Sequence, residues 1–471
     1  MQGKGRPPLW LTVVGGLAAL TTLIPLIYLI VRATGGDSDS LVQLFQRPRV
    51  LLLLWNTVSL GVAVAVTATT VGLLAAFVLA RFAIPARRFW IMCASVPLAV
   101  PSYLAAYGLL ATFPGLQGFW GSWLVLSAVT TPYVTLPVLA ALRQGTTGFD
   151  DLSRTLGVPA IRALIPGTWH QIRGATLAGA ILVFLYTIAD FGGVALFRFP
   201  VLTTAIQQAY GASYDRQLAA MLSLILVCLA LIVVYFERKA RGRMVRTASR
   251  SSTQSRQIRV SRKNVWLFAA VIVPTFVGAV VPMAVMVFRM FDARAWAQLD
   301  WANLFEATGN TILLSVSGAT LGLLLAAPIA VLAGLYRSKL VTAIESLGYL
   351  PLALPGIVVG LALVLFALSA VPALYQTSVL LAFAYALLFM PKAVGLVRGA
   401  VTSVPRSLVD VSSTLGFSPR QRTRNIYVPM MRNSILVAWL LLAVSAMKEL
   451  PATLLLRPTG MDTLATVLWA K

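Results

Sequence analysis

The chain has 471 residues, 59% of them hydrophobic and only 11% charged, and a formal net charge of +24. Soluble domains carry roughly 25% charged residues, so a water-soluble globule is excluded and a bilayer-embedded chain is implied. The excess of cations does not mark a nucleic-acid partner, because lysine and arginine sit in short segments between long apolar runs.

The first apolar run, near 9–31, follows Lys4 and Arg6 and lacks a small-residue cleavage site, so it reads as a retained helix. Runs of spanning length follow near 51–79, 89–112, 121–142, 174–195, 217–236, 264–288, 309–335, 343–369, 376–397 and 433–455, which predicts about eleven membrane helices. With the N-terminus in the cytoplasm, most of the 38 lysines and arginines fall on the cytoplasmic side. Cys93 and Cys228 lie inside apolar runs and read as packing residues, and His170 has no second histidine with which to share a metal.

A basic stretch over 237–263, rich in Ser, Thr and Gln, reads as a cytoplasmic linker between a first half, 1–236, and a second half, 264–471. The halves repeat one another. Asn56-Thr57 returns as Asn310-Thr311, Pro97-Leu98-Ala99-Val100-Pro101 as Pro351-Leu352-Ala353-Leu354-Pro355, and Asp151-Leu152-Ser153-Arg154-Thr155-Leu156-Gly157 as Asp410-Val411-Ser412-Ser413-Thr414-Leu415-Gly416. The same order at nearly one offset predicts an all-α polytopic fold of two parallel six-helix-type repeats, related by an axis along the membrane normal. The second copy of the 217–236 helix would fall beyond Lys471, so the sequence is expected to be truncated there, or else the second half lacks its last helix. Pro97, Pro101, Pro351 and Pro355 are expected to kink their helices.

The duplicated loops read as short cytoplasmic helices, each opened by its aspartate and closed by a glycine bend. Gly416 is followed by Ile426-Tyr427-Val428-Pro429, whereas the segment after Gly157 has lost that ending. These loops resemble the coupling loops of the membrane subunits of binding-protein-dependent ABC importers. The resemblance implies that Asp151, Ser153, Gly157, Asp410, Ser412, Gly416 and Pro429 dock two copies of an ABC ATPase subunit. No phosphate-binding Gly-x-x-x-x-Gly-Lys-Ser/Thr loop occurs in the sequence, so ATP and Mg are expected on those partners and the chain itself is expected to be no enzyme.

Ala189-Asp190-Phe191-Gly192-Gly193 and the stretch from Met447 to Pro458 resemble segments of the ferric-iron permeases of this class, which also carry both halves in one chain. That resemblance implies a bacterial inner-membrane permease fed by a periplasmic ferric-binding protein. Asp190 and Glu449 occupy matching positions in the two halves; with Lys448 they are candidates for a translocation path or gate, and the two acids for metal contact. Docking of the binding protein and a helix-end ion pair are the other readings of these residues. Tyr210 and Tyr214 offer further oxygen atoms. A permease for thiamine or another small solute, and a six-plus-six secondary transporter, are the competing functions.

Overall fold

The computed structural model describes residues 7–35, 47–144, 160–211, 215–242, 260, 264–291 and 300–470. In chain order its helices are α1 (Leu9–Thr34), α2 (Pro48–Arg81), α3 (Arg87–Leu98), α4 (Ser102–Thr112), α5 (Gly118–Arg143), α6 (Ala160–Ala189), α7 (Gly192–Leu196), α8 (Leu202–Gly211) and α9 (Arg216–Gly242). They continue as α10 (Val265–Met290), α11 (Trp301–Leu335), α12 (Lys339–Gly348), α13 (Gly356–Ala370), α14 (Ser378–Ser403), α15 (Arg406–Thr414), α16 (Pro419–Met447), α17 (Pro451–Leu456) and α18 (Leu464–Ala470). Among the described residues, 9 helices are long and apolar enough to cross a membrane, and a bent pair, α3 with α4, makes up to 10.

All the predicted apolar runs are helical, but four of them are interrupted. The run near 89–112 is two helices meeting at 93°, and the run near 343–369 divides into α12 and α13. The runs near 174–195 and 433–455 overshoot: their long helices stop at Ala189 and Met447, and α7 and α17 come after them as separate short pieces. The prolines are therefore breaks rather than kinks. Pro97 and Pro351 lie in 3-10 turns, and Pro101 and Pro355 stand immediately before α4 and α13. A proline pushes its predecessor out of the helical region. Leu354, at φ −103° and ψ 113°, shows this effect.

The chain forms two compact units, one of residues 1–42, 206–227 and 299–471, the other of residues 43–205 and 228–298. These units are not the sequence halves: the first includes residues 1–42 and 206–227 of the first half, and the second includes residues 264–298 of the second half. In the first unit α1 lies along α11 and α13: Gly15 lets Leu332 approach, the Thr22 hydroxyl donates to the Leu347 carbonyl (3.0 Å), and Tyr28 meets the Phe366 ring edge-on at 5.0 Å. In the second unit α10 packs on α3, α4 and α5. Gly108 seats Pro282, Gly278 seats Ala128 and Pro97, and the Thr275 hydroxyl donates to the Cys93 carbonyl (3.0 Å). Close approach through small residues is the usual route to helix association where lipid is the solvent. Cys228, expected in packing, is instead exposed on α9.

Candidate functional site

Each unit contains a node where a broken helix, the end of a long helix and a short helix meet. In the second unit α6 ends just before Asp190, which is only 8% exposed. One carboxylate oxygen accepts from the Ser102 hydroxyl at the start of α4, and the other from the backbone N–H groups of Gly193 (3.0 Å) and Val194 (3.3 Å) at the start of α7. The Asp190 carbonyl accepts from the Thr203 hydroxyl (2.7 Å), which draws α8 into the same node. A carboxylate is well placed there, since helix N-termini leave N–H groups unsatisfied and carry partial positive charge.

The first unit repeats this arrangement with other residues. α16 ends before Glu449, whose carboxylate accepts from the Ala452 N–H (3.3 Å) in α17 and lies against Gly356, the first residue of α13. Its carbonyl accepts from the Thr453 hydroxyl (2.5 Å), and that hydroxyl also bonds the Tyr385 hydroxyl (2.7 Å). Gly356 is the repeat counterpart of Ser102, and Glu449 of Asp190. One half thus uses a short acid with a hydroxyl partner, the other a longer acid with a glycine that leaves it room.

Beside this node, the Lys392 ammonium on α14 donates to the Ser445 hydroxyl on α16 (2.8 Å) and lies 4.7 Å from the centre of the Phe389 ring. Lys392 is about 21 Å along α14 at 1.5 Å per residue, near the middle of the span. Ser445 is within a turn of the end of α16. Hence α16 stops about halfway along α14, and the segment that starts at Lys448 lies level with the middle of that helix. The counterparts in the second unit are Tyr133 and Tyr186, with ring centroids 5.6 Å apart.

The repeated Asn-Thr pairs form clamps. Asn56 donates to the Pro200 carbonyl (2.9 Å), and the Thr57 hydroxyl accepts from the Leu202 N–H (3.0 Å). Asn310 donates to the Asp462 carbonyl (3.1 Å), and the Thr311 hydroxyl accepts from the Leu464 N–H (2.9 Å). Each clamp fixes the extended strand of chain that leads from a node into the next helix. Thr57→Val keeps the shape but strands the Leu202 N–H in a buried position, a loss of about 1–3 kcal/mol. The expected result is a lower thermal midpoint for the purified chain in detergent, by several degrees. An unchanged midpoint would refute the clamp.

Of the duplicated loops, Asp151, Ser153 and Gly157 lie outside the described residues. The second loop comprises α15 and the turn that joins it to α16. Leu408, Val411 and Leu415, at i, i+3 and i+7, share one face and are all exposed. Asp410 is also exposed but sits in the middle of α15, not at its start: Pro405 precedes the first turn, and no acidic residue falls in it. Ser412 is buried and donates to the Val409 carbonyl (2.7 Å). Gly416 has φ +78°, and the N–H groups of Gly416 and Phe417 bond back to Ser413 (3.1 Å) and Ser412 (3.0 Å), which makes a Schellman end. Ser418 then caps α16 through a reciprocal bond pair with Gln421. Exposed Pro429 removes one N–H from α16, next to a π turn at Thr423–Tyr427 that takes up the mismatch.

Residues 326–469, which include this loop and its node, match the family model described as binding-protein-dependent transport system inner membrane component. Nearly the whole chain, 98%, aligns at 29% identity with 92% of the Fe(3+)-transport system permease protein FbpB 2 of Haemophilus influenzae. The chain thus resembles the binding-protein-dependent transport permeases. Two further relatives match over about half its length. The sulfate transport system permease protein CysW of Escherichia coli is 23% identical over 50% of the chain and 89% of its own length. The molybdate/tungstate transport system permease protein WtpB of Thermococcus kodakarensis is 24% identical over 44% of the chain and 85% of its own length.

The sequence-selected residues divide into separate places. Asp190 and Glu449 join helix ends in different units, and the four prolines break the helices beside them. Lys448 follows the end of α16 beside Glu449, while Asp410, Ser412, Gly416 and Pro429 belong to the exposed loop. Among the described residues, no group of three His, Cys, Asp or Glu side chains is placed to hold a metal ion. Burial, with Tyr375 nearby, pushes the Tyr210 hydroxyl up to about 12, so it remains a neutral phenol; Tyr214 lies outside the described residues. Lys392, Ser445, Tyr133 and Tyr186 were missed. The signal available was Pro132-Tyr133 recurring as Pro391-Lys392, with a tyrosine replaced by a cation inside an apolar run.

Proposed function

We propose that this permease is the membrane subunit of an ATP-driven importer of ferric iron in a bacterial cytoplasmic membrane. It takes cargo from a periplasmic binding protein and passes it inward by alternating access. The observation that carries the iron reading is the end-to-end similarity to a permease named for Fe(3+) transport. Two ATPase subunits, which hold the ATP and Mg, bind from the cytoplasm at the duplicated loops. The exposed apolar face of α15 supports this, because an apolar patch standing clear of the fold is what a partner would cover. The N-terminus is cytoplasmic, which leaves the basic linker and both loops on the ATPase side.

Force passes from that loop to the nodes through a continuous helix. α16 runs from the capped turn at Pro419 to Met447, so a shift of α15 moves the end that meets Glu449, Gly356 and α17. Breaks at mid-depth provide the hinges such a movement needs. Uptake of labelled ferric iron by cells with and without the chain tests the reading, with labelled sulfate, molybdate and thiamine in parallel. Chain-dependent iron uptake of at least tenfold over the deletion strain is expected. Uptake of another solute in its place would retain the permease and replace the cargo.

A further inference from the structure

α14 is covered along most of its surface, and the stripe it leaves open carries Lys392, Gly395, Leu396 and Gly399. Lys392 lies near the middle of the span, where a cation turned to lipid is strongly disfavoured; charged groups at such depth face water or a transported solute. Its contacts are neutral, namely the Ser445 hydroxyl at 2.8 Å and the Phe389 ring. Lys392 forms no ion pair among the described residues. Lys448 is close enough to repel it, and Glu449 close enough to attract it. The Glu449 carboxylate is directed at Gly356 and the Ala452 N–H, where it caps α17. Two lysines therefore share one carboxylate, and that carboxylate already serves the helix end.

A bare trivalent cation would be repelled at this point, whereas an anion would complete it. We propose that Lys392, reinforced by Lys448, is an anion-recognising station at mid-membrane. The cargo passes it as a complex of net negative charge, ferric iron enclosed by anionic oxygen ligands, not as the bare ion. This rests on the ferric-iron reading of the cargo. The chemistry agrees with it: ferric iron is a hard cation that favours oxygen donors, and carboxylate or phosphate oxygens on its outer surface suit a lysine ammonium.

The sign of the effect of charge removal decides the question. In cells carrying the intact transporter, uptake of labelled ferric iron supplied with excess citrate is compared for wild type, Lys392→Gln, Lys392→Arg and Lys448→Gln, each normalised to permease in the membrane. Lys392→Gln is expected to lower uptake at least tenfold and Lys448→Gln several-fold, with Lys392→Arg keeping a third or more of wild-type uptake. Unchanged or faster uptake in Lys392→Gln would overturn the station and leave the iron reading standing. An equal fall in Lys392→Arg would also overturn it, because a charge-independent role would then be at work. Wild type that moves labelled sulfate or molybdate but no iron, with Lys392→Gln losing that uptake, would retain the station and discard iron. Equilibrium dialysis of ferric citrate against the purified full chain provides the second readout: tenfold weaker binding by Lys392→Gln is expected, and equal binding overturns the proposal. If Lys392→Gln fails to reach the membrane, Lys448→Gln carries the same test.

Discussion

Gly416→Val is expected to lower ATP-dependent uptake about tenfold while the permease still inserts at its normal level. Gly416 holds φ +78°, and nothing lies within 4 Å of where a Cβ would stand, so the penalty is conformational and not a clash. A left-handed backbone costs an L-residue roughly 1–2 kcal/mol, more for a β-branched one, which corresponds to about a 5- to 30-fold shift in population. The Schellman end would then open. The carbonyls of Ser412 and Ser413 would lose their N–H partners, and α15 would lose its fixed angle to the start of α16. Asn enters the left-handed region more readily than other side chains, so Gly416→Asn should keep most of the uptake. Uptake by Gly416→Val equal to wild type, or equal losses in the Val and Asn variants, would remove the glycine from the coupling path. Full-length protein recovered from washed membranes separates this effect from a failure to insert.

What the sequence disclosed about the fold lay in its periodicities and its duplications. Apolar runs located the helices, and the recurring Asn-Thr, Pro-x-x-x-Pro and Asp-to-Gly landmarks marked a clamp, a break and a loop. Helix ends inside the membrane were harder to see. Phe191 to Leu196 and Leu450 to Leu456 are as apolar as the helices before them, so hydropathy continues across Asp190 and Glu449 although the backbone does not. The partners of α1 and α10 were invisible for a different reason. Gly15 against Leu332 and Gly108 against Pro282 are tertiary contacts between positions far apart in the chain, and no periodicity records them. Lys392 was hidden by averaging, because one cation among some twenty apolar residues leaves a run still long enough to span. Asp190 and Glu449 were legible as a matched pair of acids. Their partners, Ser102 and Gly356, were not legible, because neither residue type marks a contact with an acid so far along the chain.

The difference between the two nodes predicts a second large effect. Asp190→Glu should destabilise the permease strongly, because the longer acid meets the Ser102 side chain in a site with no room to spare; even a Cβ at Gly193 would stand only 2.9 Å from the carboxylate. Overpacking at a filled site costs about 1–3 kcal/mol, and displacement of the carboxylate also leaves the Gly193 and Val194 N–H groups buried without an acceptor. The first unit accommodates the longer acid by placing glycine opposite it. Ser102→Gly combined with Asp190→Glu should therefore recover much of what Asp190→Glu loses, although Ser102→Gly alone removes a hydrogen bond and is itself harmful. In the other node Gly356→Ser should be harmful for the converse reason, since a Cβ there overlaps the Glu449 carboxylate, and Glu449→Asp should relieve it. The measurement is a double-mutant cycle at each node, with the thermal midpoint of the purified chain in detergent as the readout. A coupling of about 1–3 kcal/mol in favour of each double variant is expected. Simple additivity at both nodes would mean that the acids do not join the broken helices through Ser102 and Gly356. The remaining basis for a shared design would then be the backbone caps at Gly193 and Ala452, which any acceptor of the right reach could satisfy.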